Sequence, residues 1–474
     1  MVDSRSVNPT AMPAVDLAVA IRERRLSARE VIEAHIGVLD RWQARTNAVA
    51  TSRYDEARAA ADAADNLVAS GVDSLPPLLG VPCTVKEMIG VAGLPHTAGF
   101  HGRRGRTASS TATAAQRLID AGAIVLAQTN VAELGIWIES TNRIYGRTRN
   151  PYGLRRTAGG SSGGEAVAVA VGGSPIGLGS DMGGSIRIPA FFNGVFGHKP
   201  TAGLVPNTGM YPDTVGDIGK LLSIGPITRR AADLMPVLKI LAGPDGEDPF
   251  TRRILLGDPD TVELTGLRVV LSERTSVMPV SREIRTARAR AAEYLAGRCA
   301  DVQHVSLRSM RRAMEWFLTA SSELGGRLST LIADDTDPGS LIGSLRWLTS
   351  HNAMTTLTLA AERIPRPQRA ITRCWAAAHE LSAEVDAAIG SGVMLHAPFR
   401  SIALRHRTTI ARPWLQTPCS VFNLLGLPAT QVPLGLSPQG LPLGVQVVAG
   451  RDRDHVGIAV ATALEQGFGG WRPP

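Results

Sequence analysis

Residues 157–190 read TAGGSSGGEAVAVAVGGSPIGLGSDMGGSIRIPA and contain two glycine-bracketed serine clusters, at 159–164 and 183–185. Glycine lets other atoms approach the backbone closely, so a glycine-dense loop beside hydroxyl groups suits a site where N–H groups face a ligand or an oxyanion. Apolar residues follow the second cluster: Ile186, Ile188, Pro189, Phe191 and Phe192. Solvated linkers lack such neighbours. The stretch therefore predicts a functional site, and not two flexible surface loops.

Apolar runs and amphipathic segments alternate along the rest of the chain. They predict strands at 79–86, 123–129, 175–181, 267–272, 393–397, 428–434 and 443–448, and helices at 15–24, 27–41, 55–70, 111–121, 280–297 and 454–466. Segment 224–243 predicts a turn followed by an amphipathic helix, and 307–388 is irregularly helical. Strand, helix and strand in succession indicate an α/β sheet.

The Ala/Val run at 166–171 is ambiguous, because its strict alternation fits a strand by period alone. We predict a helix instead. A glycine-rich turn with Glu165 at a helix start would aim backbone N–H groups at the preceding loop.

The composition limits the classes of function. The formal net charge is +8, but the arginines are scattered and no basic block occurs, so nucleic-acid binding is not expected. The four cysteines are far apart and no Cys/His cluster occurs, which argues against disulfides and against a metal site. The chain lacks an apolar run of about 18 residues that would predict a membrane span, and its N-terminus does not resemble a secretory signal. We expect a cytoplasmic protein.

Two familiar glycine motifs fit poorly. Gly159-x-Ser161-x-Gly163 matches the G-x-S-x-G elbow of α/β-hydrolases, but the preceding residues NPYGLRRTA are not the apolar strand that an elbow requires. A phosphate-binding loop would need Lys-Ser or Lys-Thr after the glycines, and neither occurs at that spacing.

Lys86 stands out among the basic residues. Lysine occurs only at positions 86, 199, 220 and 239, and the remaining basic residues are arginine or histidine. A buried lysine can lose its proton, and a neutral lysine can take the proton of a serine nucleophile. The shift required is about three pKa units, which burial can supply. From the residues alone another interpretation stays open, in which Lys86 pairs with Glu87 or reaches solvent at the strand end.

Three blocks of the chain resemble the amidase signature family of serine hydrolases. GGSSGGEAVAVAVGGSPIGLGSDMGGSIRIPAFFNGVFGHKPTAGLVP at 159–206 is similar to the family's defining signature along its whole length. PLLGVPCTVKEMIGVAGLPHTAG at 77–99 resembles its lysine block, and FNLLGLPATQVPLGLSPQGLPLGVQVVA at 422–449 its C-terminal block. The middle, about 245–418, shows little resemblance.

This resemblance implies a single large α/β domain over 1–474, with a central mixed, twisted sheet covered by helices on both faces. The expected regions are helical at 1–75, the catalytic signature core at 76–245, a variable substrate-pocket region at 246–418, and a C-terminal sheet and helix at 419–474.

The resemblance also implies catalytic roles. Ser185 would be the acylated nucleophile, Ser161 the bridging serine after a cis peptide bond at Gly160, and Lys86 the base. Ser162 and Asp181 would support this group. The oxyanion hole would consist of the backbone N–H groups of Met182, Gly183, Gly184 and Ser185.

Three residues depart from the commonest family pattern. They are Glu87 after the lysine, Ser180 before Asp181, and His198 before Lys199, and none is expected to touch the three catalytic residues. Glu87, Gly164-Glu165 and the segment 224–244 look more like the fatty acid amide hydrolase side of the family than like the amidotransferase A subunit.

The expected function is that of a cofactor-free amidase, which hydrolyses a small carboxamide to a carboxylate and ammonia or an amine. The alternative is the glutamine-hydrolysing A subunit of a tRNA-dependent amidotransferase. A catalytically silent binding protein is disfavoured because Lys86, Ser161 and Ser185 are all present. The sequence leaves the oligomeric state open between a monomer and a homodimer.

The acyl pocket is expected to come largely from the unmatched middle region. The candidates are Met314, Trp316, Phe317, Leu345, Trp347 and Leu348. The same residues would also suit an ordinary helix core, since large apolar side chains are usually buried.

Overall fold

The apolar runs form the strands of one sheet, and the amphipathic segments form helices that pack on it. The structure is a computed structural model that describes residues 8–213, 219–273, 279–324, 355–358 and 367–474. The helices are α1 (Ala14–Arg22), α2 (Ala28–Thr46), α3 (Tyr54–Ala69), α4 (Thr113–Asp120), α5 (Gly163–Ala170), α6 (Arg187–Phe192), α7 (Leu234–Leu241), α8 (Arg282–Ala296), α9 (Ala313–Leu324), α10 (Gln368–Ile389), α11 (Thr417–Leu424) and α12 (Asp454–Phe468).

The strands are β1 (Val49–Ser52), β2 (Pro82–Lys86), β3 (Ile124–Thr129), β4 (Thr141–Asn142), β5 (Gly146–Arg147), β6 (Ile176–Asp181), β7 (Phe196–Lys199), β8 (Ser223–Thr228), β9 (Arg268–Glu273), β10 (Asp301–Ser306), β11 (Val393–His396), β12 (Ala429–Leu436) and β13 (Pro442–Ala449). Within the described ranges, eleven of them form one sheet in the order β1-β3-β2-β6-β8-β7-β12-β13-β11-β9-β10. β2 runs parallel to β3 and β6, and β9 runs parallel to β10 and β11, whereas the remaining pairs are antiparallel. The predicted α/β fold with a central mixed sheet is confirmed.

Helices cover both faces of the sheet, as the alternation along β9 shows. Val269 and Leu271 pack into a core shared with α8 and α12, whereas Val270 packs into a separate core shared with α9, α10 and α11. Successive strand side chains point to opposite faces. The two cores therefore lie on opposite sides of this strand.

A local sequence signal sets the start of α2. Ser27 and Glu30 form the predicted capping box of α2, with Glu30 N–H donating to Ser27 Oγ at 3.0 Å and Ser27 N–H donating to Glu30 Oε2 at 2.9 Å. The ambiguous Ala/Val run forms the helix α5, as predicted.

The prediction for 224–243 is wrong in its first half. Ser223–Thr228 is the fully buried strand β8, and the helix begins only at Leu234. Gly225 and Pro226 suggest a turn, but both have a place in this strand. A Cβ on Gly225 would lie 2.3 Å from the carbonyl oxygen of His198, so the close approach of β7 requires glycine there. Strand β7 itself was not predicted.

Segment 307–388 is helical over most of the residues that are described. α9 and α10 match the predicted helical character, whereas the predicted break at Pro338 lies outside the described residues. The division of the chain into four regions stays a prediction.

We expect Gly164→Ala to destabilise the fold by about 1–3 kcal/mol, the usual cost of overpacking. A Cβ at Gly164 would lie 2.5 Å from both the backbone nitrogen and the backbone oxygen of Asn130. Gly37→Ala is the matched control, because its Cβ would meet only Arg41 Nη1 at 3.4 Å inside α2. That change should be neutral or stabilise by about 0.5–1 kcal/mol. Urea unfolding measures both, and equal losses would contradict the packing argument.

Candidate active site

Lys86 ends strand β2, and its side chain is fully buried. Its Nζ lies 2.6 Å from Ser161 Oγ and 2.9 Å from Ser180 Oγ. Glu87 faces elsewhere, because its Oε1 accepts hydrogen bonds from the backbone N–H and the hydroxyl of Thr97. The alternative interpretation of Lys86, as an ion-pair partner of Glu87 or a solvent-exposed amine, is therefore wrong.

Burial also governs the protonation of Lys86. Desolvation lowers the pKa of Lys86 to about 7, whereas the charges of Asp181 and Glu165 raise it. The amine contacts two hydroxyls and, at 3.5 Å, the carbonyl oxygen of Ser180, and none of these fixes a positive charge as a carboxylate would. The neutral amine is therefore well populated near neutral pH.

Ser161 is held at the turn before α5. The Gly160–Ser161 peptide bond is cis, as the family resemblance implies. The carbonyl oxygen of Ser161 accepts hydrogen bonds from the N–H of Ala132 at 3.2 Å and from Ser140 Oγ at 3.1 Å. A Cβ on Gly160 would lie 2.5 Å from the carbonyl oxygen of Trp137, so this position has no room for a side chain.

Ser162 joins the two serine clusters. Its N–H donates to the carbonyl oxygen of Ser185 at 3.2 Å, and its Oγ donates to the carbonyl oxygen of Ser180 at 3.3 Å. The two clusters that are separated along the chain are thus adjacent in space. Ser161 and Ser185 are both buried.

Asp181 organises the loop that carries Ser185. Its carboxylate accepts hydrogen bonds from the N–H groups of Gly184 at 2.8 Å and Ile186 at 3.0 Å, and it pairs with Arg187 at 2.9 Å. Burial would raise the pKa of Asp181, but the charge and hydrogen bonds of Arg187, with Asn423 and Lys199, together outweigh it and hold that pKa well below the usual range. The carboxylate therefore stays ionised and fixes the loop.

Of the four N–H groups predicted for an oxyanion hole, one is already bonded to Asp181. This group is the Gly184 N–H. The N–H groups of Met182, Gly183 and Ser185 have no acceptor among the residues that the structure describes. Three of the four groups thus have no hydrogen-bond partner within the described ranges.

Two site residues escaped the sequence analysis. Ser180 was expected not to touch the catalytic residues, yet its hydroxyl contacts Lys86, and this expectation is wrong. Glu165 was noted only as a helix-start residue, but it is fully buried and interacts electrostatically with Lys86. The available signal was strand pairing, since Ser180 lies near the end of β6 beside β2.

Apolar side chains lie against the loop that holds Ser185. A Cβ added to Gly183 would lie 3.2 Å from the ring of Phe317 and 3.1 Å from Gln416 Oε1. Met314 belongs to the same cluster as Phe317, and Met182 packs against it. Trp316 instead lies in the core beneath α9, as in the helix-core alternative. The remaining predicted pocket residues, Leu345, Trp347 and Leu348, lie outside the described residues.

Two kinds of feature are absent from the described ranges. Nowhere in them do three or more His, Cys, Asp or Glu side chains converge as they would around a metal ion. No helix in them combines the length and apolar character needed to cross a membrane.

A comparison with protein families gives a match over residues 30–456 to the family described as Amidase. The chain belongs to the amidase signature family. It is an amidase, a hydrolase that acts on amides, as the sequence analysis predicted. Human fatty-acid amide hydrolase 2 is 37% identical over 97% of this amidase and 90% of its own length.

Two further comparisons place the amidase within the family. The glutamyl-tRNA(Gln) amidotransferase A subunit of Deinococcus deserti is 32% identical over 90% of this chain and 92% of its own. A solved bacterial aryl acylamidase superposes with a TM-score of 0.81 at 26% identity, over 96% of each chain. The expectation of greater similarity to fatty-acid amide hydrolases than to the amidotransferase protein is confirmed.

We expect Arg187→Met to destabilise the amidase by about 3–5 kcal/mol, because it leaves the Asp181 carboxylate buried without its cation. Arg25→Met is the control, since Arg25 pairs with Glu23 at the surface and should contribute about 0–1 kcal/mol. Urea unfolding at pH 7 measures both. A similar small loss in the two variants would show that the buried pair does not hold the loop.

Proposed function

We propose that the amidase cleaves a carboxamide C–N bond through an acyl-enzyme on Ser185, with Ser161 as the proton bridge and Lys86 as the base. The observation that carries this proposal is the 2.6 Å contact between the buried Lys86 Nζ and Ser161 Oγ. A serine hydroxyl needs such a base to become an effective nucleophile.

The proton path follows from this order of groups. Neutral Lys86 takes the proton of Ser161, and Ser161 takes the proton of Ser185 as Ser185 Oγ bonds to the amide carbon. The protons return through Ser161 to the departing nitrogen when the C–N bond breaks. Water then attacks the acyl-enzyme and releases the carboxylate, which restores the Ser185 hydroxyl. Each proton that leaves a serine is thus delivered to the leaving group or recovered from water.

The tetrahedral oxyanion would be held by backbone N–H groups. Met182, Gly183 and Ser185 supply the three that remain available after Asp181 has bonded Gly184. One such donor is worth about 2.7–4 kcal/mol in other hydrolases. Asp181 supports the reaction by fixing the loop that carries Ser185. Ser162 supports it by holding that loop against the turn that carries Ser161.

The substrate is proposed to carry an apolar acyl or aryl group. Phe317 and Met314 supply the apolar wall beside Gly183, and Gln416 supplies one polar group. The relative at 37% identity is named a fatty-acid amide hydrolase, which agrees with an apolar acyl chain. The alternative, a glutamine-hydrolysing amidotransferase component, has the weaker likeness, at 32%. Cytoplasmic location and the choice between monomer and homodimer stay predictions.

Lys86→Met should reduce the rate of Ser185 acylation about 10²–10⁴-fold at pH 7, the usual contribution of a general base. Only neutral Lys86 accepts a proton, so wild-type acylation should rise as the pH increases through about 7 and level off above it. The rate at which a fluorophosphonate labels Ser185, measured from about pH 5.5 to about pH 9 in wild type and Lys86→Met, tests both expectations.

Lys239→Met is the matched control, because Lys239 is exposed on α7. It should keep the wild-type rate and pH profile, and Ser185→Ala should not be labelled at all. If Lys86→Met were acylated at the wild-type rate, Lys86 would not be the base.

Phe317→Ala should lower kcat/KM for a long-chain or aryl amide about 10-fold or more. It should leave kcat/KM for acetamide unchanged, because only the larger acyl group reaches the ring. Leu318→Ala is the control on the same helix, where Leu318 is 39% exposed. A panel of amides that vary in acyl chain and leaving amine, with free glutamine included, measures these values. Preferred turnover of glutamine would favour the amidotransferase function instead.

A further inference from the structure

Two segments of the chain contain several arginines and no acidic residue. Residues 140–164 include five arginines and residues 387–451 include five more, whereas neither segment has an Asp or a Glu. All 42 acidic residues of the chain lie outside them. The formal net charge of +8 is therefore concentrated in these two segments.

Backbone pairing joins the two segments. Arg156 pairs with Arg405 in an antiparallel bridge, and the N–H of Thr157 donates to the carbonyl oxygen of Leu404 at 2.9 Å. On its other side Thr157 pairs with Arg149. The Cβ atoms of directly opposite residues lie about 5 Å apart in such pairs. Arginines that are far apart in the sequence thus meet on one strip of backbone.

The arginines of this strip have no acidic partner in the described parts of the chain. The arginine strip is defined by its exposed members: Arg149, Arg155, Arg405, Arg407 and Arg412. None of them forms an ion pair with a described carboxylate. The Glu139 carboxylate is buried and accepts hydrogen bonds from the Arg407 N–H and the Thr409 hydroxyl. Like charges in opposite positions are destabilising, so an anion bound along the strip would be stabilising.

Apolar side chains are exposed among the same arginines. Ile410 is 39% exposed and Trp414 is 43% exposed, and they alternate along the chain with Arg407 and Arg412. Tryptophan is enriched where lipid headgroups meet water, and a leaflet of anionic lipids attracts arginine. The phosphates of a nucleic acid are instead contacted by basic and polar groups, and they offer nothing to an isoleucine. The combination therefore favours a lipid surface over a nucleic acid.

Both segments lead from the arginine strip to the candidate active site. Gln416, two residues after Trp414, lies 3.1 Å from the position of a Cβ on Gly183. At the start of the other segment, Ser140 Oγ donates to the carbonyl oxygen of Ser161 at 3.1 Å. The strip therefore belongs to the same side of the molecule as the two serine loops.

We propose that the arginine strip docks the amidase on the surface of a bilayer that contains anionic phospholipids. The guanidinium groups bind the lipid phosphates, and Trp414 and Ile410 enter the headgroup region. The proposal does not depend on the roles proposed for Lys86 and Ser185, because docking involves none of the reacting groups.

Sedimentation of the full chain with lipid vesicles tests this proposal. Wild type should bind vesicles of phosphatidylcholine with about a third phosphatidylglycerol about 10-fold or more tightly than vesicles of phosphatidylcholine alone. A rise in NaCl from about 0.05 M to about 0.2 M should weaken that binding, because salt screens exposed charges. The double variant Arg155→Gln, Arg405→Gln should bind the anionic vesicles about 10-fold or more weakly than wild type, since each arginine near the surface contributes separately. Trp414→Ser should bind them several-fold more weakly.

The double variant Arg290→Gln, Arg298→Gln is the matched control. It removes the same charge from exposed arginines on α8 and just after its end, outside the two segments, and should keep wild-type binding. The Arg155, Arg405 variant should be at least as stable in urea as wild type, because it relieves repulsion within the strip. Equal binding to the two kinds of vesicle, or equal losses in the two double variants, would overturn the proposal. Tighter binding of a DNA duplex than of anionic vesicles, unaffected by Trp414→Ser, would also overturn it and assign the strip to nucleic acid.

Discussion

The structure of the site depends on the burial of one amine, the side chain of Lys86, away from water. An ammonium group at the position of Lys86 would lose its hydration, and the hydroxyls of Ser161 and Ser180 cannot replace a counter-charge in direct contact. The protein therefore holds an amine whose pKa is about 7 and not a permanent cation. The two carboxyl groups nearby act over a longer distance and limit the fall of that pKa.

Three chain segments must meet to build this environment, and the sheet topology brings them together. Lys86 ends β2, Ser180 and Asp181 end β6, and the two strands are parallel neighbours. The carboxyl ends of parallel strands lie at the same edge of a sheet, which is where α/β proteins commonly place their sites. Ser161 reaches that edge from the turn before α5, and Ser162 links this turn to both Ser180 and Ser185.

Much of this could be predicted from the sequence, because periodicity and glycine placement act locally. The helix α5 and the buried strand that carries Lys86 follow from residues near one another in the chain. Strand β8 did not, because Gly225 and Pro226 have turn character, and the approach of His198, which accounts for Gly225, is a contact between strands. Ser180 and Glu165 were missed for a related reason. Their importance comes from cross-strand register, and the register depends on contacts between residues far apart in the sequence.

The Asp181–Arg187 pair also reaches beyond the reaction groups. Arg187 donates to the side chains of Asn423 and Gln446 and to the carbonyl oxygen of Cys419, so α11 and β13 brace the serine loop from behind. Phe317 and Gln416, which face the loop from the front, come from the segment with little family resemblance. On the mechanism proposed above, chemistry and substrate choice are encoded in separable parts of the polypeptide. Exchange of the front segment between related enzymes offers a route to new substrates that leaves the braced machinery intact.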